Sequence, residues 1–166
     1  DTPGVRLTVV TPVPYDDVNH KPDFEGGVNG VLAQYSAEEV RLGQAAGACV
    51  VELHSPMSEM LGKSKSIDGR LSAKLTDSRW KPGAAAQLFI AAEIAKAWGM
   101  DATVSAVTID GTTETVLSTR NTKVTITSNH GPLVWTQTDD SLPLPIDSSD
   151  ASVNLVLKSS DLIASL

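Results

Sequence analysis

Cysteine is almost missing from this sequence: Cys49 is the only one in 166 residues, so neither an intrachain disulfide nor a cysteine-rich metal site can form. It lies in Ala48-Cys49-Val50-Val51 with no Lys, Arg or His beside it to stabilise a thiolate, and reads as a small buried apolar residue. Aromatic residues are scarce at 4%, whereas AVILMFWYC amount to 41%, so a core has to be built mainly from Leu, Val, Ile and Ala. Basic residues are in deficit: 13 Lys and Arg against 20 Asp and Glu leave a net charge of −7 and a pI near 4.8. Nothing in that balance would release the counterions of a phosphate backbone, which excludes a nucleic-acid partner. No run approaches the roughly 18 continuous apolar residues of a membrane span, and no basic segment precedes an apolar core at the start, so no signal peptide is visible.

What is present changes character near residue 102. Before it, apolar runs alternate with helix-period segments: residues 5–10 read as a buried strand, 28–46 as a helix, 48–53 as a second buried strand and 84–98 as a helix. This is an α/β rhythm, and the absence of strict alternation in the two strands suits a parallel sheet covered on both faces. Two strands fall short of the usual four to six or so. Another chain or a missing N-terminal segment is therefore expected to complete the sheet. From residue 103 the texture is β-rich. Residues 103–110, 113–119, 123–128, 133–138 and 152–157 are short runs heavy in Val, Thr and Ile, separated by Asp110-Gly111, Arg120-Asn121 and His130-Gly131-Pro132. Residues 139–149, rich in Pro, Asp and Ser, read as an extended surface connection, and 160–164 as a terminal helical turn. The expected division is thus an α/β domain over 1–102 and an antiparallel β extension over 103–166.

Leu7-Thr8-Val9-Val10-Thr11-Pro12-Val13-Pro14-Tyr15-Asp16-Asp17, with Phe24-Glu25-Gly26-Gly27-Val28-Asn29 after it, resembles the middle of the SGNH (GDSL-type) hydrolases, with a loop of the PxPYDD kind after a central strand. Asp77-Ser78-Arg79-Trp80-Lys81-Pro82-Gly83, opening an Ala-rich helix, and residues 104–110 are similar to that family's last block and the segment beyond it. Residues 133–139 and Leu142-Pro143-Leu144-Pro145 look like the β-rich tail of some bacterial members. The resemblance implies a flavodoxin-like three-layer α/β/α sandwich, of which this chain is the C-terminal portion, and ester hydrolysis by a serine in a Gly-Asp-Ser block with an Asp and a His in the last block. Gly-Asp-Ser does not occur here. Setting Pro82-Gly83 on the family's HPG puts Lys81 where the general base would be and Ser78 where its orienting Asp would be, with Asp77 one position early. A protonated lysine only donates, and even a lysine neutralised by burial would lack the serine.

Residues 77–83 admit two readings. In one they form a surface loop and helix start, with Pro82 at the first helical position, where its missing N–H costs nothing. In the other they are a remnant cleft in which Lys81 and Trp80 contact an anionic or sugar-like ligand, the indole supplying a stacking face. His54 comes after a strand, at the edge where α/β ligands sit, and reads either as a hydrogen-bonded structural residue or as a binding residue. Ser55 beside it would point to the opposite face of an extended chain. His20 and His130 lie in turn-like contexts and read as solvated. Asp16, Asp17, Asp23 and Glu25 form an acidic loop without the 12-residue calcium spacing, so solvated charge is the reading and no metal is expected. Gly26-Gly27 matches no phosphate-binding motif and reads as a turn into the helix. No cofactor is expected. The functional expectation is an SGNH-like module that binds or builds rather than hydrolyses, with an ester or glycan ligand. The alternative is part of an active acyl or acetyl esterase completed by another segment. By resemblance to exported members with such tails, the place expected is extracytoplasmic or secreted, with a cytoplasmic one left open.

Overall fold

Two short apolar runs with a helix between them build a βαβ unit: strand β1 (Thr8–Val10), helix α1 (Gly27–Ala45) and strand β2 (Cys49–Val51), the strands parallel with Thr8 opposite Cys49 and Val10 opposite Val51. The computed structural model describes residues 4–128, 131–143, 146–160 and 162. His130, Leu144-Pro145 and most of the expected turn at 160–164 lie outside them. Successive strand residues point to opposite faces, and two helices use this. Gly43 brings α1 so close to Val9 and Val50 that an added Cβ would lie 2.8 Å from Val50 Cγ2 and 3.4 Å from Val9 Cβ. Thr8 and Cys49 point the other way. The Cys49 thiol, half-buried rather than buried, donates to the Ala97 carbonyl at 3.4 Å, and the Trp98 indole N–H donates to Thr8 Oγ1 at 3.1 Å.

The expected strand over 5–10 is shorter and barer than its composition suggests. Val51 is 2% exposed, but Val10, its register partner one strand outward, is 43% exposed, with Leu7 at 57% and Val5 at 70%. The reason is that β1 pairs only with β2, so its outer side has no neighbour among the described residues.

Helix α2 (His54–Ile67) and the one-turn α3 (Gly69–Ser72) come after β2, with the Asp68 side chain capping α3 through the N–H groups of Arg70 and Leu71. Next come the two-residue strands β3 (Thr76–Asp77) and β4 (Lys81–Pro82), paired antiparallel, and helix α4 (Ala84–Ala97). Pro82 therefore lies in β4, with Gly83 as the N-cap, and is not the first helical residue. The hydrophobic core joins Met57, Met60 and Leu61 of α2, Leu75 just before β3, Ala85, Ala86 and Phe89 of α4, and Val153, Leu155 and Val156 near the end of the chain.

Those last three correct an expectation. Residues 152–157 are not a strand but part of helix α5 (Ala151–Ser159). Asp150 caps it by accepting from the Ser152 N–H at 2.7 Å, and Val153, Val156 and Ser159 share the spacing of one helical face. Helix α5 lies against α2 and α4, where the small hydroxyl side chains of Ser64 and Ser159 meet at 2.7 Å. The chain thus rejoins the first compact unit from Asp147, and among the described residues the second unit runs from Asp101 to Ile146 rather than over 103–166.

That second unit consists of two antiparallel hairpins, β5 (Ala106–Asp110) with β6 (Thr115–Arg120) and β7 (Thr122–Ile126) with β8 (Trp135–Asp139). Asp110 turns the first hairpin by accepting from the N–H groups of Thr112 and Thr113. Thr122, in β7, is the one buried residue of this unit among the described residues. The chain is thus mixed α/β, with five helices and small two-stranded sheets among the described residues.

Gly43→Val tests the seat of α1. The added carbons meet a branched side chain that cannot swing away, so the variant should lose roughly 2 kcal/mol of stability in urea unfolding, the cost of overpacking. An unchanged midpoint would mean that α1 does not rest on Val50.

Candidate functional site

Parallel strands leave their loops at their C-terminal ends, where α/β ligands gather. The loop after β1 is pinned there from its first residue. The Thr11 N–H donates to the Val51 carbonyl at 2.9 Å, while Thr11 Oγ1 accepts from the Leu53 N–H at 2.8 Å and the His54 N–H at 3.4 Å. Further on, the Asn29 side chain clamps the Tyr15 backbone, accepting from its N–H at 2.8 Å and donating to its carbonyl at 2.6 Å. The Asn29 N–H in turn reaches Asp17 Oδ2 at 3.4 Å. Gly27, at φ +60°, has room only for a hydrogen there, since a Cβ would lie 2.5 Å from that oxygen.

Asp16 is the centre of this loop. It is fully buried, and its Oδ1 accepts from the N–H and side-chain amide of Asn19 at 2.9 and 3.1 Å. Its Oδ2 accepts from Thr76 Oγ1 at 2.6 Å and from the same amide at 3.0 Å, and its N–H donates to the Arg79 carbonyl at 2.6 Å. His20 is anchored to the same residue, its Nδ1 lying 3.3 Å from the Asp16 carbonyl and 3.6 Å from Oδ2, with the side chain 40% exposed. It is therefore held rather than freely solvated.

The β3–β4 hairpin closes the cluster. Ser78 and Arg79 both take left-handed backbone angles, φ +53° and +68°, which cost non-glycine residues energy and persist only where the surroundings enforce them. Here the surroundings are explicit. The Arg79 guanidinium donates to Asp23 at 3.1 Å and to the Lys21 carbonyl at 2.9 Å, and lies 5.5 Å from the centre of the Tyr15 ring. The Tyr15 hydroxyl first, then the Asp23 charge, raises its pKa above the usual arginine value.

The hairpin relocates the residues singled out in the sequence. Asp77 and Lys81 are register partners across it; both are exposed, as is Ser78, whose hydroxyl donates to Asp77 Oδ1 at 3.2 Å. Trp80 stands at the tip, 64% exposed. His54 is elsewhere, the first residue of α2 and 7% exposed, its Nε2 buried without a hydrogen-bond partner among the described residues. Ser55 occupies the same helical turn rather than an extended chain, and its N–H is taken by Glu52.

Asp16 and Asp23 already have partners, and no group of three or more metal-capable side chains occurs among the described residues. A cavity of about 150 Å³ between β2 and α4 is lined by Val50, Val51, Glu52, Glu93, Lys96 and Ala97. It is smaller than ordinary ligand pockets, and none of these residues belongs to the loop or the hairpin.

Sequence reading missed Thr11, Asn29, Thr76 and Arg79, whose roles arise from long-range bonds. Only Asp16-x-x-Asn19 carried a local sign, a side chain placed to accept from the backbone three residues on. No protein-family model, no curated protein and no solved structure matches the chain.

Removing the central carboxylate should cost far more than removing the outer one. Asp16→Ala leaves buried donors unmatched and is expected to lose roughly 2 to 3 kcal/mol, whereas Asp23→Ala breaks an exposed, solvent-screened pair and should lose much less. Urea unfolding of both variants measures the difference, and equal losses would refute the central place given to Asp16.

Proposed function

We propose that the chain is a module of the SGNH (GDSL-type) hydrolase kind that acts as a binding or structural subunit, without hydrolase activity of its own. The observation that carries this reading is the hairpin: by the resemblance it holds the last catalytic block, yet it presents Lys81 and Ser78 to solvent. An exposed ammonium takes no proton from an alcohol. Contacts of α1 with Val9 and Val50, and of α4 with Cys49, fit a three-layer α/β/α arrangement around a parallel sheet, with the hairpins of 101–146 as its β extension. The bare outer side of β1 fits a sheet that further strands complete, from another chain or another segment of this one. An extracytoplasmic place belongs to the same reading.

The ligand surface on this reading is the hairpin tip. Its strained backbone leads into an exposed indole, Trp80, and the exposed ammonium that is next in sequence, Lys81, groups suited to the ring face and carboxylate of an acidic sugar. Titration with acidic oligosaccharides, monitored by tryptophan fluorescence, is expected to show binding that Lys81→Ala weakens roughly tenfold and Trp80→Ala abolishes. Equal or absent binding in all three proteins would remove the glycan surface.

A second reading, an ester hydrolase whose nucleophile lies on a completing segment, is favoured by one observation, the imidazole of His20 against Asp16. p-Nitrophenyl acetate separates the two. This chain alone should show no turnover that a serine-directed phosphonate inhibits. Phosphonate-sensitive turnover by the completed assembly would overturn the first reading in favour of the second.

A further inference from the structure

We infer that the free side of β1 receives a partner polypeptide that brings a helix as well as a strand, the helix lying beside α1 with an apolar face and one hydrogen-bond donor for Glu39. The inference rests on the proposed subunit role and names the kind of partner that role needs.

The geometry of α1 carries it. The helix returns from the end of β1 to the start of β2 with Gly43 seated on Val9 and Val50. Crossovers of this kind are right-handed, so each flank of α1 belongs to a known side of the strand pair. At about 100° per residue, Ala33, Ala37 and Gln44 fall on the flank over β2. Val31, Tyr35 and Leu42 fall on the opposite flank, over the free side of β1, and all three are exposed, Tyr35 by 62%. Single exposed apolar residues need no cause. Three of them at steps of four and seven residues make a seam, the spacing at which one helix receives another.

Glu39 falls on the same flank, between that seam and the sheet, and its Oε2 is closed to solvent with no hydrogen-bond partner among the described residues. A buried acceptor left unmatched costs free energy. An amide or a basic side chain on the incoming helix meets it. The other face of β1 is bare as well. The Trp98 indole donates to Thr8 Oγ1, which places the ring on the side of β1 away from α1, yet it is 62% exposed, with Val10 exposed on the same face. A strand added beside β1 sends side chains to both faces.

A second copy of this chain is not that partner. Two β1 edges meeting in a closed dimer run antiparallel about Val9, which stands level with Gly43 near the end of α1. The two α1 helices would then overlap by their last turns only, leaving Val31 and Tyr35 bare.

Hydroxyl-radical footprinting read by mass spectrometry compares the chain alone with the particle that carries it in its natural setting. Labelling of Tyr35 in the particle is expected to fall several-fold, together with that of Leu7, Val10 and Trp98. Protection of those three with Tyr35 labelled at its full rate means a strand without a helix, and overturns the inference while leaving the subunit role intact. No protection at any of the four ends both, and a particle built from two copies of this chain alone overturns the partner. For the donor, native mass spectrometry of particles carrying Glu39→Leu should show at least about tenfold more free chain than wild type, whereas Glu39→Gln, which keeps an acceptor, should match wild type. Circular dichroism checks that both variants fold. A particle that holds Glu39→Leu as firmly as wild type overturns the donor.

Discussion

A carboxylate without solvent contact, that of Asp16, ties together segments that the chain keeps 60 residues apart. A buried carboxylate is tolerated only when its lone pairs are met. Here the donors that meet them are Asn19 on its own loop and Thr76 on the hairpin. The same residue's N–H holds the Arg79 carbonyl, and its carbonyl faces His20. The loop after β1 and the β3–β4 hairpin are therefore one object. The left-handed angles at Ser78 and Arg79, the exposed indole of Trp80 and the orientation of the His20 ring all depend on that bond set.

The second constraint lies on the sheet. Helices α1 and α4 take up the alternating side chains of a pair of strands, but on the outer side of β1 the apolar residues Leu7 and Val10 are left in solvent. An exposed apolar edge of this kind fits the proposal that a neighbouring strand pairs with β1. The proposed subunit role and the proposed completed hydrolase both draw on this edge. They differ in whether an alcohol arrives with the added strands.

Much of the framework was legible in the sequence. The first strand and helix, the second strand and α4 fall where apolar runs and Ala-rich periodicity put them, and four of the five expected β runs after 103 form hairpins. Helix α2 escaped notice because its apolar stripe of Met57, Met60 and Leu61 is diluted by four serines and by Pro56 near its start. Residues 152–157 fit either period, and Asp150 as a cap decided for helix. Residues 77–83 read as a loop running into a helix start, but two left-handed residues reverse the chain there and pair Asp77 with Lys81. Asp16 read as one of several solvated acids, since the partner that buries it is remote in sequence and no local pattern announces it.

Both proposed roles require these 166 residues to be one part of a larger sheet. Nothing reports on that more directly than the intact mass, under non-denaturing conditions, of the particle that carries this chain in its natural setting, with every polypeptide in it identified. The expected mass is well above the 17.4 kDa of this chain, the excess coming from a polypeptide that supplies strands beside β1. A stable particle made of a single copy of these residues and nothing else would contradict it.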